Sequence, residues 1–183
     1  MIKLNMSGNL ISSKSKNAYL QRLQKIQKMK FTRDADELFQ VMLTAKSEQI
    51  ENLHVKTIIN GKTIENDTTK ELGSTSEAPS PMEMLLASFA NCLEISALLY
   101  FSFNNVNVDS VKLKVTAEYD KRCVLPDKEA PEPGFYNINY TWYIESKEKR
   151  KKIEAVLDKV NRNCPVKGTF SRNHAYKQII NIL

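Results

Sequence analysis

An α+β fold is predicted by three observations. The stretch "PMEMLLASFANCLEISALLYFSF" (81–103) is apolar nearly all round, as a helix wrapped by other elements must be. After it, "SVKLKVTAEY" (110–119) and "FYNINYTWYIE" (135–145) alternate apolar and polar residues with period two, the mark of half-buried strands that pair with each other. The whole order reads β-rich segment, long helix, two strands, helix, strand.

The elements follow in chain order. Residues 1–12 are polar and unpatterned. From about Ser15 to Lys30, Tyr19, Leu23, Ile26 and Met29 recur at spacings of 4, 3 and 3, an apolar stripe on a basic helix that packs on its own domain or on a second subunit. The runs "LFQVMLTA" (38–45) and "HVKTIIN" (54–60) read as strands. "KSEQIE" (46–51) reads as the turn of an early hairpin, and Asn60-Gly61 marks a second hairpin before "KTIEN". The polar segment 67–81 is a loop that leads into the long helix. Ser80 is its N-cap, Pro81 suits the first helical position, and Glu83, three residues after the cap, completes a capping box. Val111, Leu113 and Val115 form the inner face of one strand; Tyr136, Ile138, Tyr140, Trp142 and Ile144 alternate along the other. A loop with three prolines (120–134) joins the two. Residues 146–162 form an amphipathic helix with Ile153, Val156, Leu157 and Val160 inside, and "AYKQIINIL" (175–183) reads as a closing strand.

With 183 residues the chain supports one compact domain with a core, or a domain plus an extension. A hydrophobic fraction of 42% and a charged fraction of 26% are those of a soluble globular protein. Glu83, Asn91 and Glu94 argue against a membrane span at 82–103, because a carboxylate in hydrocarbon costs roughly 2.5 kcal/mol or more. The N-terminus lacks the apolar core of a signal peptide, so a cytoplasmic location is expected. The net charge of +6 collects in 13–33 and 147–152. It permits a nucleic-acid partner, but no aromatic–basic interleaving supports one.

Three cysteines, Cys92, Cys123 and Cys164, do not resemble a disulfide scaffold. Cys92 lies in the middle of the long helix and Cys164 ends the next one, where Pro165 turns it out of helical geometry. Either is open to reading as a buried filler or as half of a redox pair. Zinc is disfavoured: there is no CxxC, and His54 and His174 fit no ligand spacing.

Two segments resemble a known family, the osmotically inducible protein C / organic hydroperoxide resistance superfamily (OsmC/Ohr). "APSPMEMLLASFANCLEIS" (78–96) is similar to its Pro-x-E-L-L-x-x-A-x-x-x-C helix, and "VNRNCPVKGTF" (160–170) to its C-P-[VIY]-x-x-[TA]-[LF] segment. The resemblance covers roughly 37–183, the OsmC-like branch, and leaves 1–36 as an N-terminal extension. It implies an intertwined homodimer with antiparallel sheets wrapped around the long helices and active sites at the subunit interface. It also implies a thiol peroxidase acting on organic hydroperoxides, with peroxidatic Cys92, resolving Cys164 and an external dithiol or lipoylated-protein reductant, and no metal or organic cofactor. A family member with the same fold and little turnover, which binds a small apolar ligand or senses redox state, is the alternative. Cys123 matches nothing. The family's hydroperoxide reductases carry a glutamate ten residues before the helix cysteine and an arginine in an early hairpin. Here Met82 stands in the first place, with Glu83 one residue away. For the second, Lys46, Arg33 and Arg122 are the basic residues to examine.

Overall fold

The computed structural model describes residues 10–29, 32, 37–74 and 77–181. Helix α1 (Ser13–Met29) precedes a three-stranded antiparallel sheet in the order β1 (Ala45–Glu51), β2 (His54–Ile59), β3 (Lys62–Asn66). Then come helix α2 (Pro81–Phe103), the hairpin β4 (Ser110–Glu118) and β5 (Tyr136–Glu145), helix α3 (Arg150–Asn163) and the short helix α4 (Pro165–Phe170). The mixed α+β architecture with antiparallel sheets and a central helix is as expected.

Local chemistry explains the boundaries. Asn60 and Gly61 both have positive φ, 49° and 71°, the twist that a two-residue hairpin turn needs between β2 and β3. At the head of α2, Glu83 N–H donates to Ser80 Oγ (3.3 Å) and Ser80 N–H donates to Glu83 Oε2 (2.7 Å), closing the capping box with Pro81 at the first turn. β3 is fastened to this point, since Asn66 Nδ2 donates to the Pro79 carbonyl at 2.9 Å.

The core is built on one face of α2. Phe89, Leu93, Ala97 and Phe101, spaced four apart, are buried against Val106, Val108, Val111, Val156 and Val160. Across the hairpin Val111 faces Ile144, Leu113 faces Trp142 and Val115 faces Tyr140, so the period-two pattern puts one apolar face on the helices. At its C-terminal end Asn104 caps α2 by donating to the Tyr100 carbonyl (2.7 Å), and Lys159 Nζ donates to Asn104 Oδ1, tying α3 alongside.

Four expectations need correction. The run 38–45 is not a strand: 37–39 are helical, and pairing starts only at Ala45. The apolar residues there, Val41 and Met42 at 72% and 91% exposed, have no strand beside them. The segment 46–51 is strand β1 itself, not a turn; Lys46 pairs with Ile58, and the turn falls at 52–53. Residues 173–181 are not in a strand, with Tyr176, Ile179 and Ile180 largely exposed, because a strand needs a neighbour and none pairs with them among the described residues; 182–183 lie outside the described residues. Finally, α2 is wrapped on one side only. Within the single chain Ile95, opposite the core stripe, is 59% exposed, and Leu85, near the helix start, 42%. By length and composition alone, α2 is apolar enough to cross a membrane.

Candidate active site

Two elements bring the sulfurs together. Cys92 sits on α2 one residue before the buried Leu93, at the edge of the core-facing stripe. Cys164 is the residue at which α3 ends and α4 begins. Its extended backbone (φ −71°, ψ 116°) is the conformation that a following proline favours, and it swings the thiol out of the helical path toward α2. The Cys164 thiol donates to Cys92 Sγ at 3.1 Å. Both are free thiols, since a disulfide would hold the sulfurs at about 2.05 Å.

The two differ in access. Cys164 is 3% exposed, whereas Cys92 lines an open groove of about 510 Å³. Cys92, Ile95, Ser96 and Leu99 stand at i, i+3, i+4 and i+7, one face of α2, and form its floor. Tyr19, Tyr100, Asn163 and Pro165 line the rest of it, with the Tyr100 hydroxyl and the Asn163 side chain in contact. Burial pushes the Cys164 thiol up from its ordinary range, the neighbouring Cys92 adds to this, and the backbone N–H groups of Lys167 and Val166 oppose it. Cys164 therefore holds its proton and donates it, with Cys92 sulfur as acceptor. Burial likewise raises the Tyr100 hydroxyl, helped by the nearby Tyr19 and opposed by Asn163.

A polar brace steadies the turn that carries Cys164. The Tyr140 hydroxyl donates to Asn161 Oδ1 (2.7 Å) and accepts from Lys167 Nζ (3.1 Å). The Tyr140 ring meets Phe89 edge-on at 6.0 Å, and Phe89 meets Phe170 at 5.4 Å. Tyr140 thus contacts both cysteine-bearing segments.

The remaining sequence candidates lie elsewhere in the chain. Glu83 is committed to the cap of α2, nine residues and about 13 Å of helix before Cys92. Ser80 N–H and hydroxyl hold its carboxyl below the usual carboxylate range. Lys46 lies on the exposed strand β1. Arg33 is outside the described residues. Arg122 is engaged with Asp120 at 2.5 Å, which holds that carboxyl down at about 2 and braces the 3-10 turn Lys121–Val124 containing Cys123. No cluster of metal-ligating side chains occurs among the described residues. Sequence reasoning missed Tyr100 and Tyr19 as groove residues, and the Tyr140–Asn161–Lys167 brace. The i, i+3, i+4, i+7 stripe beginning at Cys92 was a readable sign of the groove floor, but the brace joins positions distant in sequence and left no local sign.

Comparison with known proteins bears on the fold. The family described as OsmC-like protein matches residues 73–177, more than half of the chain. Among solved structures, an OsmC-like protein from Mycoplasma pneumoniae is 21% identical, with a TM-score of 0.61 over 73% of this chain and 89% of its own. An organic hydroperoxide resistance protein from Elizabethkingia anophelis is 14% identical, with a TM-score of 0.53 over 73% and 91%. A Legionella pneumophila structure described as an organic hydroperoxide resistance protein OsmC is 20% identical, with a TM-score of 0.50 over 71% and 89%. No curated protein matches the sequence.

Proposed function

The chain belongs to the OsmC-like protein family, and on that premise we propose that it is a thiol-dependent peroxidase that reduces organic hydroperoxides through Cys92 and Cys164. The observation that carries this reading is the 3.1 Å contact between an accessible and a buried thiol. The names of the solved relatives, hydroperoxide resistance proteins among them, lend support.

The chemistry follows from the two environments. Cys92, as thiolate, attacks the distal oxygen of the hydroperoxide; the O–O bond breaks, and the leaving alkoxide takes a proton to become an alcohol. Cys92 is left as a sulfenic acid that carries the hydroperoxide's own hydrogen; the proton Cys92 released to water on becoming a thiolate balances the one the alkoxide takes up. The Cys164 sulfur then attacks the Cys92 sulfur, losing its own proton, and the sulfenic oxygen departs as water while the disulfide forms. An external dithiol, of the kind a lipoylated protein offers, exchanges through a mixed disulfide and restores both thiols as it becomes oxidised itself. No organic cofactor or metal enters this cycle. The apolar floor of Ile95 and Leu99 suits the hydrocarbon part of the substrate.

The working form in this reading is a cytoplasmic homodimer. Leu85, exposed on α2 away from the groove, and the apolar tail at Tyr176, Ile179 and Ile180 favour it, since a second copy would cover both. Residues 37–183 form the OsmC-like domain and 1–36 an extension to it.

A second reading has its own support. Among the described residues no Lys or Arg lines the groove beside Cys92, and a thiol without a cationic neighbour reacts slowly. On that reading the same dimer binds a small apolar ligand or senses redox state. Steady-state consumption of cumene hydroperoxide with dihydrolipoamide as reductant separates the two. Turnover lost in Cys92→Ser supports the peroxidase; no turnover above the Cys92→Ser background rejects it.

A further inference from the structure

The basic helix α1 has no part in the thiol chemistry, yet it touches the groove. Tyr19 stacks on Phe103 with ring centroids 4.9 Å apart and planes 23° apart, and Lys16 Nζ donates to Asn105 Oδ1 at 3.3 Å. Elsewhere the helix is held lightly: none of its residues is fully buried, and Leu23 is 40% exposed. Its one aromatic anchor is also a groove residue, since Tyr19 lines the same space as Cys92 and Tyr100.

We infer that Tyr19 is a specificity-determining residue of the Cys92 groove, an aromatic wall supplied by α1 that limits the width of the molecule able to reach the sulfur. The inference rests on Cys92 being the reacting thiol. Its physical basis is the asymmetry of the groove. Cys92, Ile95 and Leu99 stand on α2, and Asn163 and Pro165 flank the buried Cys164, so these lining residues are fixed to the core cluster, whereas among the described residues Tyr19 is held by its stack on Phe103 and the exposed Lys16–Asn105 hydrogen bond on the same helix. A narrow reagent passes with Tyr19 in place. A wide one must displace the stack, which slows it by roughly two- to tenfold, the equilibrium worth of one aromatic pair.

The test needs no peroxide. In the full chain carrying Cys123→Ser and Cys164→Ser, Cys92 is the single thiol, and its alkylation rate is measured with iodoacetamide and with fluorescein maleimide. Tyr19→Ala should raise the maleimide-to-iodoacetamide rate ratio by roughly two- to tenfold, the worth of the lost stack. Tyr19→Trp should lower the ratio. A ratio unmoved in both variants, or both reagents accelerated equally, overturns the wall. Because alkylation is independent of turnover, an inactive peroxidase would leave this result standing. Full turnover with an unmoved ratio would reject the wall alone.

Discussion

Closing the Cys92–Cys164 pair would cross-link positions 72 residues apart. Chain-entropy theory gives a loop of that length about 15 cal/mol/K less freedom when unfolded, or about 4 kcal/mol at 25 °C. The native side of the balance carries little strain. The sulfurs start 3.1 Å apart and have about 1 Å to travel, and Cys164 makes the move from a non-helical residue. For a chain of 183 residues, 4 kcal/mol corresponds to a rise in Tm of roughly 8–16 °C. The assay is urea unfolding and thermal melting at fixed protein concentration, comparing protein treated with one equivalent of cumene hydroperoxide with protein kept in dithiothreitol. Concentration is held constant because the apparent stability of the proposed dimer would depend on it. A sample whose mass confirms the closed disulfide, but whose midpoint is unchanged or lower, would refute the claim that the native fold holds the two thiols ready to join.

Further predictions test the scaffold around the pair. Leu93→Ala, at a side chain with no exposure, should cost about 2–5 kcal/mol by urea denaturation and lower the thiol–thiol reaction rate with it. Tyr140→Phe removes a hydroxyl that both donates and accepts; a loss of about 1–2 kcal/mol and slower disulfide closure are expected, and unchanged closure would show that the brace does not position Cys164. The raised Cys164 thiol gives a pH dependence of defined sign. The unfolded chain ionises near the ordinary value of 9.0 while the folded chain keeps its proton, so this stabilisation is complete below pH 9 and is lost as pH rises beyond it. The urea midpoint of the reduced protein should thus fall more steeply above pH 9 than that of Cys164→Ala. If Glu83 serves only the cap, Glu83→Gln leaves peroxide oxidation of the thiols unaltered, while Ser80→Ala costs about 1 kcal/mol. A markedly slower oxidation in Glu83→Gln would return that carboxylate to the reaction.

The helix that carries Cys92 was legible to the residue, because its signals are local: a capping serine, a proline and a glutamate three residues on. So were the β4–β5 hairpin, through its alternation, and the turn at Asn60-Gly61. Strand β1 was not. "AKSEQIE" has little intrinsic preference for a strand and is exposed along its whole length, so it is extended only because β2 pairs with it. The opposite error befell 38–44 and 175–181, whose residues favour strands but find no strand partner among the described residues. The site divides in the same way. The sequence motifs named both cysteines and the turn at Pro165, but their meeting depends on α3 packing across α2 through Val156, Val160 and Leu93. Tyr19 was readable as part of an apolar stripe. Its seat beside Cys92 depends on how α1 lies on Phe103, which no local pattern encodes.

The most direct test of the central claim is intact mass and free-thiol count after one equivalent of cumene hydroperoxide, for the wild type beside Cys92→Ser and Cys164→Ser. A peroxidase built on this pair loses two thiols rapidly and gains a Cys92–Cys164 disulfide. Cys164→Ser traps a sulfenic acid on Cys92, and Cys92→Ser does not react. Thiols still intact after minutes would contradict the account, leaving a fold that holds its two cysteines in contact without activating them.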